Sequence, residues 1–257
     1  MYHNSVCRIF VFLLIGLFCC RPALAALPAD STAVQRDSVC PDYSFSPVRL
    51  AVPLAVTAVG AVGSFAFKGF RQSVDNQFCK WRGDHYWHGD DYIQYVPAAA
   101  YLGLGFCGIK SRSNFRDRLL AGVSAYVCMA AIVNVAKACI REERPDGSAR
   151  NSFPSGHTAT AFTGAELMRI EYGNYIGAAG YAVAIGVGVL RMYNSRHWYN
   201  DIIAGAGIGI LSARIGYWLL PVERRLLGLD KKKAAIAFMP TYSPSSRSIG
   251  IACAAVF

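Results

Sequence analysis

Apolar residues in this chain come in long unbroken runs, not in the alternating or every-third-position patterns of a soluble core. Past the first 25 residues, six such runs cover 50–67, 92–109, 119–140, 157–168, 175–193 and 202–220. They are rich in Gly and Ala, which let helices pack closely in lipid. The runs are apolar on every face, so periodicity does not separate a membrane bundle from a soluble helical core. Length does, because most approach the roughly 20 residues that cross a bilayer. The fourth run is short, leads into Arg169 and Glu171, and reads as a helix packed among its neighbours. Lys137, Glu166 and Arg214 lie within or near the runs and weigh against six plain spans. The predicted fold is all-α, a membrane-embedded six-helix bundle. Near the end the pattern changes: "AAIAFMPTYS" and "RSIGIACAAVF" are short, partly alternating runs around a turn-like "SPSS", and they predict a short C-terminal β-hairpin.

The polar connections set an orientation. The basic segments 110–118 and 223–233 would be cytoplasmic by the positive-inside rule, which puts 141–155 and 194–201 on the opposite, periplasmic side. The N-terminus reads as a secretory leader: Arg8 before the apolar core "IFVFLLIGLFCC", then "ALA" with cleavage expected after Ala25. An uncleaved anchor, or a lipoprotein signal on Cys19 or Cys20, is the rival reading. A cleaved leader conflicts with six full spans, since it places Ala26 outside and 141–155 inside. Three ways out stay open: the first run does not cross fully, the domain sits on the membrane without regular spans, or the leader is not translocated.

Composition narrows the class. The chain is 54% hydrophobic and 16% charged over 257 residues, more apolar than an ordinary soluble domain. Its formal charge is +10, and +8 without the leader. No nucleic-acid recognition motif accompanies that charge, so anionic membrane surfaces or phosphorylated substrates fit it better. Of nine cysteines, six remain after the leader. Cys107, Cys128 and Cys139 sit in apolar runs, Cys40 and Cys79 in polar segments where they could pair, and no CxxC spacing points to a metal or redox dithiol.

Three polar clusters stand at helix ends: "KACIREERP" with Lys137 and Arg144, "PSGH" with Ser155, Gly156 and His157, and "RMYNSRHWYND" with Arg191, His197 and Asp201. Singly, each has a bland explanation, as a snorkelling lysine, interfacial arginines or helix caps. Together they describe an anion site. Lys137, Arg144 and Arg191 have no obvious carboxylate partners apart from Glu142 and Glu143, and grouped cations are costly unless an anion joins them. Arginine's planar fork matches phosphate oxygens, and a helix opening at "SGH" adds N–H donors. His197 and Asp201 are one helical turn apart, so the carboxylate can aim the ring as a nucleophile for phosphorus. His157 would then protonate the leaving oxygen and activate water. This chemistry requires no metal or other cofactor.

Lys-x6-Arg-Pro, Pro-Ser-Gly-His and Arg-x5-His-x3-Asp, in that order, resemble the three-part signature of the type 2 phosphatidic acid phosphatase superfamily. That family includes lipid phosphate phosphatases, class A acid phosphatases and vanadium haloperoxidases. The resemblance implies the family's six-helix bundle over 48–222, after a leader at 1–25 and a polar segment at 26–47, and before a basic linker and tail at 223–257. It implies Lys137, Arg144, Ser155, Gly156 and Arg191 as phosphate ligands, His197 as nucleophile, His157 as general acid and Asp201 as orienting partner. One departure is Leu190-Arg191, where the family commonly has Ser-Arg; Ser195-Arg196 has the wrong spacing to replace it. The expected function is dephosphorylation of an envelope lipid (lipid A, phosphatidic acid or a polyprenyl diphosphate) at a membrane, with the site facing the periplasm. A soluble periplasmic acid phosphatase, a haloperoxidase and a non-catalytic membrane anion-binding or transport protein are the alternatives.

Overall fold

The computed structural model describes residues 47–229, 235–243 and 248–256. The expected leader, its cleavage site and Cys40 lie outside the described residues. Eight helical segments follow one another: α1 (Val48–Ala66), α2 (Lys68–Arg82), α3 (Asp90–Ile93), α4 (Val96–Gly103), α5 (Phe115–Ile140), α6 (Gly156–Tyr172), α7 (Asn174–Tyr193) and α8 (Tyr199–Leu226). Strands β1 (Ala235–Ser243) and β2 (Ser248–Val256) pair antiparallel, from Ala235 opposite Val256 to Ser243 opposite Ser248.

All six apolar runs fall on helical segments, but the count of six is too low. The 92–109 run is divided into α3 and α4, where Pro97 starts a new first turn. Helix α2 lies in a stretch with no apolar run. Among the described residues, three helices, α5, α7 and α8, are long and apolar enough to cross a membrane; α1 and α2, bent by 91° at their junction, make a fourth if taken as one. Helix α6 is not among them. It is buried along most of its length, as its short run predicted.

Helix α6 packs against α4, α7 and α8, while α8 also packs on α1 and α5. Small residues allow this. A Cβ on Gly216 would lie 2.3 Å from the Ala121 carbonyl on α5, and one on Gly209 would lie 2.6 Å from that of Ala159 on α6. The core around them is built from Tyr101, Ala121, Ala125, Leu167, Met168, Ala213, Tyr217 and Leu220. Close approach of α8 to α6 brings the start of one helix beside the start of the other: Ser155 N–H donates to the Asp201 carbonyl at 3.0 Å. The 141–155 and 194–198 connections therefore share one end of the bundle. The basic 110–118 segment lies at the other end, where the Arg112 N–H donates to the carbonyl of Glu171, near the end of α6.

Candidate active site

The last turn of α5 carries Lys137, and α5 stops at Arg141, whose φ of 48° turns the chain away. Lys137 Nζ donates to the Asn151 carbonyl, and Arg144 Nε to the Asn151 side-chain oxygen at 2.9 Å. One asparagine thus spaces two cations. Ser155 is fully buried as the cap of α6, with its Oγ 3.0 Å from Thr158 Oγ1. Its hydroxyl is committed to the helix. At Gly156 a Cβ would make only an ordinary contact, with Val133 at 3.8 Å, so packing does not demand a glycine there.

Arg191 corrects the expectation of three unpaired cations. Its Nη1 lies 2.6 Å from Asp90 Oδ2 and 3.7 Å from Asp91 Oδ1, both on α3. Its buried Nε has no hydrogen-bond partner. His157 Nε2 is 2.8 Å from the same Asp91 oxygen. Asp90, Asp91 and His157 do present ligand atoms within 4.8 Å of one another, a spacing that could suit a cation. The Arg191 guanidinium already faces both carboxylates, so this chain supplies the positive charge there itself.

His197 is buried in the loop between α7 and α8, at 2% exposure. Its Nδ1 lies 3.6 Å from Asp201 Oδ2, near enough for electrostatic attraction but longer than a hydrogen bond, and has no hydrogen-bond partner. Asp201 is otherwise engaged: Oδ2 accepts the Trp198 N–H at 3.0 Å and the Ser152 hydroxyl, and Oδ1 accepts from Asn200 Nδ2 at 2.9 Å. Burial, reinforced by Arg191, Lys137, Arg144 and His157, holds the His197 pKa well below the ordinary imidazole value. The ring is therefore neutral at neutral pH. Three of these are the cations expected to bind phosphate and the fourth is the expected general acid, so the three clusters do meet.

Sequence reasoning missed Asp90, Asp91, Asn151 and Ser152. A signal for the first two existed, in the paired carboxylates of "GDD" just before the second apolar run. It also missed what Ser195 and Arg196 do. Arg82, the last residue of α2, donates to Ser195 Oγ at 2.8 Å and to the Tyr193 carbonyl at 3.0 Å, while Arg196 pairs with Asp146 at 3.3 Å. Arg71, also on α2, bonds Glu142 and lies 4.5 Å over the Trp198 ring. Helix α2 thus pins both connections that carry the site. Among the described residues Cys79 has no disulfide partner, and its Sγ lies 3.3 Å from Ser195 Oγ.

The helical bundle thus gathers two histidines and three cations at one end. Residues 98–225 match the PAP2 superfamily, and the chain belongs to that superfamily. It is 42% identical over 134 residues to the Lipid A 1-phosphatase of Porphyromonas gingivalis, covering 51% of this chain and 30% of that one. It is 35% identical over 71 residues to the bacitracin transport permease protein BcrC of Bacillus licheniformis, covering 28% of this chain and 34% of that one. The chain thus spans about a third of the length of the curated relatives it matches. Among solved structures, Aquifex aeolicus LpxE is 20% identical with a TM-score of 0.39, covering 68% of this chain and 97% of that one. The PAP2 type phosphatidylglycerolphosphate phosphatase of Bacillus subtilis is 18% identical with a TM-score of 0.36, covering 91% and 99%.

Proposed function

We propose that this protein is a metal-independent phosphatase that removes phosphate from an envelope lipid through a phosphohistidine on His197. The observation that supports this best is a buried His197, kept neutral by its burial and by the charges of Arg191, Lys137, Arg144 and His157. With Asp201 on the Nδ1 side, Nε2 attacks phosphorus. The phosphorus–oxygen bond to the lipid breaks as His157 gives its proton to the leaving oxygen. Neutral His157 then takes a proton from water, and the resulting hydroxide displaces His197 and frees inorganic phosphate. The three cations stabilise charge on the equatorial oxygens throughout, which is where most of the rate enhancement arises. Arg191 does so while held by Asp90, which fixes its direction.

A lipid substrate fits the apolar helices that lead to the site, and the Porphyromonas relative is named for lipid A. We place the site on the periplasmic face, because the basic 110–118 segment lies at the opposite end of the bundle. Phosphate release from lipid A, phosphatidic acid, an undecaprenyl diphosphate and a soluble ester tests the reading. Lipid A monophosphate release is expected to be fastest, to be inhibited by vanadate and to survive EDTA; loss of activity in EDTA contradicts the mechanism. The name of the Bacillus licheniformis relative favours a second reading, an anion-binding transport protein, which predicts that His197→Ala keeps its function.

A further inference from the structure

We propose that Asp91 is a positioning residue for His157: it holds the Nε2 side of the ring, leaves Nδ1 to work on the leaving oxygen, and sustains the protonated form that donates. The proposal rests on the phosphatase reading above. Two adjacent carboxylates on α3 divide between two functional groups. Asp90 is buried at 1% exposure and serves Arg191, with Asn194 Nδ2 3.4 Å from its other oxygen. Asp91, whose side chain is 52% exposed, serves His157 at 2.8 Å and lies 3.7 Å from Arg191.

His157 needs such a partner. It is the second residue of α6, where the positive end of the helix disfavours an imidazolium. Burial and Arg191 push its pKa the same way, below the ordinary value, and the Asp91 hydrogen bond and the charge of Asp90 oppose them. The groups that bear on the ring are thus Asp90 and Asp91 on α3, Arg191 on α7 and His197 before α8. Of these, only Asp91 bonds the ring. Removing its charge leaves His157 with less proton to give and an unfixed orientation. The consequence depends on the leaving group. An alkoxide leaving from a lipid must be protonated as the bond breaks, whereas a p-nitrophenolate leaves unaided.

The test compares wild type, Asp91→Asn and Asp91→Glu, each full-length in nanodiscs, with dioleoyl phosphatidic acid and p-nitrophenyl phosphate. Asp91→Asn is expected to lower kcat/KM for the lipid by ~100-fold, the scale of acid catalysis, and for the nitrophenyl ester by under about 3-fold. Its basic pH limb on the lipid should move to lower pH, and Asp91→Glu should recover part of the loss. Nitrogen NMR of the His157 ring should show titration moving to lower pH in Asp91→Asn, independently of turnover. Equal losses on both esters, or an unmoved His157 titration, overturn the proposal. A wild type that releases phosphate from neither ester nor from lipid A overturns the phosphatase reading and this proposal with it.

Discussion

Two polar clusters in this bundle both gather arginines around a buried side chain and are finished differently. In the first, Glu166 on α6 is fully buried, and its oxygens accept from Arg169 Nε and Nη2 at 2.6 and 2.7 Å, Tyr181 at 2.6 Å and Arg214 Nε at 2.9 Å. Both carboxylate oxygens are satisfied, and the cluster ties α6 to α7 and α8. In the second, around His197, Arg191 Nε and His197 Nδ1 are buried without partners, and Lys137 and Arg144 meet an amide instead of a carboxylate. An unmade hydrogen bond in the interior costs about 1–3 kcal/mol. The Glu166 cluster is closed by its hydrogen bonds. On the function proposed above, the open one keeps donors and positive charge for an anionic ligand.

Substitutions can break that contrast. His197→Ala is expected to reduce phosphate release by more than about 10⁴-fold, with little change in the unfolding temperature, because in the proposed mechanism the ring is the nucleophile and its Nδ1 is unpaired. Turnover assays and thermal scans on the same preparation check both halves. Glu166→Ala is expected to do the reverse. Two arginines lose their carboxylate, costing about 3–5 kcal/mol in stability, seen as a lower denaturant midpoint, while activity per folded molecule stays near wild type. Arg82→Ala releases Ser195 and the Tyr193 carbonyl, so kcat should fall about 10-fold through looser placement of His197, with a small loss of stability. Steady-state kinetics with kcat and KM separated will show it.

The smallest effect concerns pH. His197 has its pKa lowered, so the neutral ring that the proposed mechanism needs persists as pH falls through the ordinary imidazole range and is lost only further down. The acid limb of kcat/KM is therefore expected below about pH 6.5, the unperturbed histidine value. Lys137→Gln removes one of the cations that depress the ring and should move that limb upward. The same shift has a stability consequence. A histidine whose folded pKa is lowered binds fewer protons folded than unfolded, so its contribution to stability falls as pH drops below the unfolded value.

The apolar runs announced the helices, and Lys137, Arg144, His157, Arg191, His197 and Asp201 could be grouped because each stands at a helix end. What escaped were features that depend on contacts between distant elements. Asp90 and Asp91 are about a hundred positions from Arg191, and nothing local marks them as its partners. Helix α2 contains no apolar run; Phe70, Val74, Phe78 and Trp81 recur along it at helical spacing among polar residues, so a search for continuous runs passes over it. Ser195-Arg196 failed a spacing test correctly, as neither is placed like Arg191, yet both anchor the loop that holds His197. Asn151 lay in the stretch between the first two motifs, which no pattern of residue types explained.

Covalent trapping addresses the role of His197 most directly. Protein turning over a lipid with a radiolabelled phosphate is quenched in base, which preserves phosphohistidine, and the labelled peptide is sequenced. Label on His197 in the wild type, absent in His197→Ala, is the predicted result. Sustained phosphate release with no label on His197, or label on another residue, contradicts it.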